Sequence, residues 1–169
     1  MAAAGVIEGE QLSAAERVSA MEDLRAAFLA LDRGRRCQAH VHVCRHALGV
    51  WEAYAHDHAP FEYVDSVVGM LHRVDTTLPR DAFESVRASG DRLSIAYRYQ
   101  EPIAALQDQD LELPSHIEFA YYAIYNLFQR YVAGAPIDDW LIVNQALASE
   151  PDPERWRPLL GDALRHAGV

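Results

Sequence analysis

The chain has 169 residues, of which half are hydrophobic and 24% are charged, and its formal net charge at pH 7 is −10. This length and composition support one buried core and exclude the low-hydrophobicity class of disordered proteins. The charge disfavours nucleic acid as a partner, because phosphate backbones are bound by clustered cations, and no apolar run approaches the ~20 residues that a membrane-spanning helix needs.

Cysteine and arginine usage bears on the compartment. Cys37 and Cys44 lie seven residues apart, so on one helix they would be roughly 10 Å apart, which is beyond the reach of a disulfide. Two reduced thiols are typical of the cytoplasm, and residues 1–10 lack the basic and apolar regions of a secretory signal. All 15 basic residues are arginines, a bias typical of a GC-rich bacterial genome. We therefore expect a cytoplasmic bacterial protein.

The N-terminal segment is followed by a clear helix start. Residues 1–11 are small and polar without periodicity, which predicts a disordered tail before a single helical domain over residues 12–169. A first helix is predicted to begin at Ser13, where Glu16 completes a capping box, and to end at Gly34 in a left-handed conformation. The apolar stripe of this helix comprises Val18, Met21, Leu24, Phe28 and Leu31.

The second predicted helix carries an apolar stripe and ends before Pro60. Residues 39–43 and 93–99 also alternate between apolar and polar side chains, so two short strands would be able to pair. We interpret residues 39–43 as helical, because the 3.6-residue pattern extends past both ends of the alternation, and leave residues 93–99 open. The stripe of the second helix comprises Cys37, Val41, Cys44, Leu48, Trp51 and Ala55.

The remaining patterns predict further helices with short connections. They lie over residues 61–71, 79–90, 102–107 and 115–134, after Pro136 and after Pro153. The helix over 115–134 begins with Ser115 and Glu118 in the order of a second capping box, and its apolar side chains cover nearly the whole circumference, which places it in the middle. The sequence therefore predicts an all-α fold, a single-domain bundle of about seven helices with room for one short β-hairpin.

Histidines give one candidate for a chemical site. His42 and His46 are one helical turn apart, and a third ligand such as His72 or His116 would complete a metal site. The zinc-protease motif and the di-iron Glu-x-x-His pair are absent, however, and both histidines lie off the apolar stripe. We interpret them as surface residues, predict no cofactor, and keep a metal-dependent helical enzyme as an alternative.

No catalytic residue is assigned, because no nucleophile elbow, phosphate-binding loop or dinucleotide fingerprint occurs. The stretch 99–129 instead differs most from an average surface, since it has a local charge of −5 and no arginine. Tyrosines beside carboxylates are typical of a protein surface that meets a basic partner, although the acids alternatively solvate a loop while the tyrosines pack inside. The predicted partner-binding residues are Glu101, Asp108, Asp110, Glu112, Glu118, Tyr97, Tyr99 and Tyr122.

The acidic helical layout resembles the small immunity proteins of bacterial polymorphic toxin systems. The resemblance lies in the amphipathic unit that begins with Cys44 to Glu52 and in the small-and-aromatic central helix from Ile117 to Tyr131, and it covers roughly residues 35–150. It implies a non-enzymatic protein that binds a cognate toxin, often a basic nuclease, and blocks its active site. A helical regulatory module that assembles as a homo-oligomer is the remaining alternative.

Overall fold

The computed structural model describes residues 13–88 and 90–169, so the predicted tail over residues 1–11 lies outside the described part. A π-helical turn (Gln129–Ala133) extends the fifth helix and a 3-10 turn (Pro153–Arg155) precedes the seventh. The predicted all-α bundle with one short hairpin is confirmed. In chain order the described elements are α1 (Ala14–Leu29), α2 (Arg33–His58), β1 (Glu62–Val64), β2 (Leu71–Arg73), α3 (Leu78–Arg87), α4 (Arg92–Gln107), α5 (Ser115–Phe128), α6 (Asp139–Ala148) and α7 (Trp156–His166).

Helix α1 begins as predicted and ends earlier. The Ser13 hydroxyl accepts from the Glu16 amide at 3.3 Å, and the Glu16 carboxylate accepts from the Ser13 amide at 2.8 Å. The predicted end at Gly34 is wrong, because Asp32 caps a new helix by accepting a bond from the amide three residues on. Gly34 therefore lies in the first turn of α2. Of the predicted stripe, Phe28 and Leu31 are buried, while Val18 remains exposed.

Both segments with strand-like alternation are helical. Residues 39–43 lie inside α2, as interpreted, and residues 93–99 lie inside α4. Asp91 caps α4 by accepting from the Leu93 and Ser94 amides at 3.0 and 3.2 Å. A separate helix beginning at Pro102 is wrong, because this proline lies buried inside α4, where the helix continues past it. Packing against α3 and α5 outweighs the usual cost of an internal proline.

The predicted helix over residues 61–71 is wrong, since this segment forms the β-hairpin. The strands are antiparallel and pair Glu62 with Arg73, Tyr63 with His72 and Val64 with Leu71. The apolar spacing also fits a helix, but the Asp65 side chain bonds to the amides that follow it, and Gly69 adopts a left-handed φ of 69°. Local side-chain bonds of this kind compete with helix formation and reverse the chain.

Helix α5 lies in the middle of the bundle, as predicted, and packs against α2, α3 and α6. Gly134 ends it with a φ of 77° after the π-helical turn. The second capping box is wrong, because the N-cap position is Pro114 and no side chain caps this end. None of the helices in the described part is both long and apolar enough to span a bilayer. The largest fully buried aromatic side chains are Phe28, Trp51, Phe83, Tyr99, Tyr121 and Phe128.

A buried polar cluster ties α2 to α6. His40 is fully buried, its Nδ1 lies 2.8 Å from the Tyr131 hydroxyl, and its Nε2 lies 2.7 Å from the Asp139 carbonyl oxygen. A carbonyl oxygen only accepts, so Nε2 carries the proton and Nδ1 accepts from Tyr131. The Asp139 carboxylate also binds Arg36 at 2.6 Å and Arg130 at 2.9 Å. Burial alone would raise the pKa of Asp139, but hydrogen bonds from the two arginines outweigh it and lower the pKa.

Candidate functional site

The hairpin has an inner face that packs on the bundle and an outer face that meets solvent. Tyr63 is buried on the inner face and stacks on His72, with ring centroids 5.1 Å apart and ring planes at 15°. Because side chains alternate along a strand, the neighbouring residues of each strand point outward. Val64 and Leu71 therefore form an outward cross-strand pair, beside the ion pair between Glu62 and Arg73.

Large apolar side chains are concentrated on the outer face and tip of this hairpin. Each is more than half exposed, and Val67 reaches 86%. No charged residue lies within residues 66–71. Contiguous exposed apolar surface is uncommon on monomers and marks interaction sites. We call this set the hairpin patch, and its members are Val64, Val67, Val68, Met70 and Leu71.

The Asp65 carboxylate holds the tip of the hairpin in one conformation. It accepts from the amides of Val67 at 3.1 Å, Val68 at 2.6 Å and Met70 at 3.3 Å, and it lies 2.8 Å from His72 Nε2. The hydrogen bond from the Val68 amide and the one from His72 lower the pKa of Asp65. The apolar side chains of the tip are therefore presented on an ordered turn, which reduces the entropy lost when a partner covers them.

Two carboxylates of the predicted acidic stretch adjoin the hairpin. Glu101 on α4 lies 3.6 Å from His72 Nδ1. Asp110 accepts from the Ser66 amide at 3.0 Å and from its hydroxyl at 3.2 Å. Gln109 is left-handed, with a φ of 63°, and the Asp110 amide donates to the Ala105 carbonyl at 2.9 Å, so the end of α4 is closed by a Schellman-type turn. This turn holds Asp110 against the hairpin.

The exposed face of α4 extends the same surface. Leu93, Tyr97 and Glu101 are spaced four residues apart, so they lie on one side of the helix. Leu93 and Tyr97 are both exposed. Since Glu101 contacts His72, this stripe leads from the N-terminal half of α4 to the hairpin. Leu93, Tyr97 and Glu101 therefore form a mixed apolar and acidic stripe that ends beside the hairpin.

The structure separates the predicted partner-binding residues into three groups. Tyr97, Glu101, Asp108, Asp110 and Glu112 lie on α4 and the loop after it, and all but the half-buried Asp110 are exposed. These five form one candidate group with the hairpin patch.

Tyr99 is a wrong prediction, because it is fully buried. Residues two apart on a helix point about 200° apart, so α4 exposes Tyr97 and turns Tyr99 into the core. A strand over residues 93–99 would instead have placed both tyrosines on the same face. Glu118 and Tyr122 are half-buried one turn apart on α5, and no hydrogen bond or ion pair joins either of them to the hairpin among the residues that the structure describes.

The predicted histidine ligands do not meet. His42 faces His166 on α7, with ring centroids 5.0 Å apart, whereas His72 lies on the hairpin against Asp65. His46 Nε2 lies 3.2 Å from Glu150, a buried carboxylate that also binds Arg155 at 3.0 Å. Within residues 13–88 and 90–169 no group of three or more His, Cys, Asp or Glu side chains is arranged to hold a metal ion. The alternative ligand set is therefore wrong.

A cavity of about 140 Å³ lies beside His46, between α2 and α7. Burial lowers the pKa of His46, the nearby Arg155 adds to this effect, and the Glu150 carboxylate opposes it. Glu150 is bound by Arg155 and by the Asp152 amide at 3.1 Å, so its charge is already compensated within the protein. This cluster ties the loop before α7 to α2.

Sequence reasoning missed the hairpin patch, although its signal was present in the uncharged apolar run from Ser66 to Leu71. A helix over residues 61–71 would place Val64, Val68 and Leu71 on one face and bury them. The site thus combines an ordered apolar turn with the carboxylates of an adjacent helix, an arrangement suited to binding a protein surface. No family model matches the chain, and no curated protein or solved structure is significantly similar to it.

Proposed function

We propose that this protein is a binding module that recognises a basic protein through the hairpin patch and the carboxylates beside it. The observation that carries the proposal is the contact of Glu101 and Asp110 with a hairpin whose apolar side chains are exposed. Neither element alone would define a partner. Their juxtaposition supplies both apolar area and charge, which are the two components of a specific interface.

The two components act at different stages of association. The net charge of −10 attracts a cationic partner over long range and raises the rate of encounter. Burial of the hairpin patch then contributes a favourable free energy of about 25 cal/mol for each Å² of apolar surface removed from water, and the affinity is what remains after the entropic cost of association. Affinity should therefore be sensitive to salt through the carboxylates and to truncation of the apolar side chains.

A basic toxin domain is the partner class that the resemblance to immunity proteins suggests. A nuclease that cleaves nucleic acid has a basic active surface, because it must bind phosphates. The exposed carboxylates of Glu101, Asp108 and Glu112 would compete with the phosphates for that surface. In this role the protein blocks the toxin by occupying its active site, and it carries out no chemistry itself.

A second copy of the chain fits the same surface less well. A symmetric dimer through the hairpin patch would use the same surface of both copies, which brings the carboxylates beside one patch towards those beside the other, and like charges repel. Light scattering over a range of protein concentrations distinguishes self-association from binding of a foreign partner. A monomer at all concentrations agrees with a foreign partner, whereas dimers that vanish on truncation of Val67 and Val68 to serine would establish self-association instead.

The test is binding to the basic C-terminal domain of a secreted protein encoded beside this gene, measured by calorimetry at several salt concentrations. The double reversal Glu101→Lys with Asp108→Lys should weaken binding at least tenfold and reduce its salt dependence. Co-expression should then no longer protect cells from that domain.

The matched control is Glu22→Lys with Asp23→Lys, two exposed acids on α1, which packs against α2, α6 and α7. Both double variants change the net charge by the same amount, so any difference in affinity between them reflects where the reversed charges lie. Equal loss of affinity in the two variants would show that only net charge matters, which contradicts the proposed site. A gene neighbourhood without a basic toxin domain would count against the immunity role.

A further inference from the structure

We infer that the partner contributes an extended basic segment that pairs with the outer edge of β2 as a third strand. This inference rests on the proposed function and specifies how the partner is held. Within residues 13–88 and 90–169 the hairpin forms a sheet of two strands, so each strand has one edge without a neighbouring strand from this part of the chain. Exposed sheet edges are templates for pairing with another chain.

The hydrogen-bond register fixes which backbone groups remain available. The Val74 amide donates to the Phe61 carbonyl and the Asp65 amide donates to the Met70 carbonyl, both at 3.0 Å. In an antiparallel ladder, pairs that exchange hydrogen bonds alternate with pairs that do not. Leu71 and Arg73 each lie one residue from a bonded position, Met70 or Val74, so they belong to the pairs that exchange no hydrogen bonds. Their amides and carbonyls therefore point away from β1.

On the outer face of the hairpin, the residues of β2 are more exposed than their partners in β1. Leu71 is 65% exposed, compared with 55% for its partner Val64. The Arg73 side chain is 69% exposed, compared with 39% for its partner Glu62. No backbone or side-chain bond to the Leu71 or Arg73 amide occurs among the described residues, so both donors are available.

The side chains around β2 specify the chemistry of the third strand. A residue paired beside His72 would point to the inner face, where the exposed Glu101 carboxylate lies 3.6 Å from His72 Nδ1. A cation is favoured there. A residue beside Leu71 would point outward against the hairpin patch, where an apolar side chain is favoured. The partner segment is therefore expected to alternate basic and branched apolar residues, as in lysine–valine repeats.

The test uses a fluorescent peptide of alternating lysine and valine with the full chain, and compares Arg73→Pro with Arg73→Val. Both variants lose the same charge and the same ion pair with Glu62, but only proline removes the amide donor. The position is suited to this substitution, because His72 before it is already extended and edge strands tolerate proline. Arg73→Val should bind the peptide at least as tightly as the wild type, whereas Arg73→Pro should bind about tenfold more weakly or worse.

Hydrogen exchange on the wild-type protein keeps the test independent of the variants. Bound peptide should slow exchange of the Leu71 and Arg73 amides at least tenfold and leave those of Glu62 and Val64 unchanged. Equal affinities of the proline and valine variants, unchanged exchange at Leu71 and Arg73, or no binding of the peptide by the wild type would overturn the inference. A different result would contradict the proposed function itself: reversal of Glu101 and Asp108 would weaken binding of the toxin domain no more than the α1 control does.

Discussion

Protonation of His40 should make the stability of this protein depend on pH in a predictable direction. Its imidazole is fully buried and neutral, with both nitrogens bonded. Burial lowers the pKa of His40 from 6.5 to about 4, Arg36 and Arg130 add to the effect, and the backbone bond and charge of Asp139 oppose it. A proton on Nδ1 would displace the hydrogen bond that Tyr131 donates.

The magnitude follows from the difference between the folded and unfolded states. The unfolded chain binds the proton near pH 6.5 and the folded protein only near pH 4, so stability is fully present above 6.5 and is lost as the pH falls towards 4. The linkage relation gives a loss of about 2 kcal/mol at pH 5 and about 3 kcal/mol at pH 4. Carboxylates contribute little above pH 5, which makes the interval from pH 8 to pH 5 the informative one.

Urea denaturation of the wild type and of His40→Gln at pH 8 and pH 5 measures this contribution. The glutamine variant should be less stable at pH 8, because Tyr131 loses its partner, but it cannot titrate. The wild type should therefore lose about 2 kcal/mol more than the variant between the two values. Equal losses, or an NMR titration that shows His40 protonating near 6.5, would refute the assignment of a buried neutral imidazole.

Two further substitutions test the buried contacts by thermal or urea denaturation. Asp139→Asn should destabilise the fold by about 2–3 kcal/mol, since it leaves Arg36 and Arg130 without their shared carboxylate. A loss of stability below about 0.5 kcal/mol would mean that these ion pairs contribute little. Tyr99→Phe should be neutral or stabilising by up to about 1 kcal/mol, because the Tyr99 hydroxyl is buried without a hydrogen-bond partner among the described residues. A clear loss of stability would show that the hydroxyl does have a partner.

Two helix ends that local chemistry marks, the start of α1 and the end of α5, are confirmed. The Ser13 and Glu16 side chains each satisfy an amide within the same turn, so the start of α1 needs no tertiary contact. Gly134 ends α5 because glycine adopts a left-handed φ without steric cost. The capping box expected at Ser115 did not form, which shows that the residue pattern permits a cap without requiring one.

The candidate site overlaps in part with the residues selected from the sequence. Glu101, Asp108 and Asp110 were selected from an arginine-free stretch, because charge composition does not depend on the fold, and their role in binding stays a prediction. The burial of Tyr99 and the exposure of Tyr97 were not predictable while residues 93–99 were undecided between strand and helix, since the two structures place alternate residues on different faces. The histidines likewise found separate partners on elements far apart in sequence.

By itself the sequence determined the helical class, the N-terminal cap of α1 and the amphipathic character of α2, because each depends on side chains within a few turns of one another, and it determined the acidic net charge through composition alone. Only the tertiary structure decided that residues 62–73 form a hairpin and that Glu101 and Asp110 lie against it. The spacing of Val64, Val68 and Leu71 fits a helix face as well as an exposed turn. The hairpin is selected over the helix by two sets of hydrogen bonds. Amides of the turn donate to the Asp65 carboxylate, and the Ser66 amide donates to Asp110, 44 residues further along the chain.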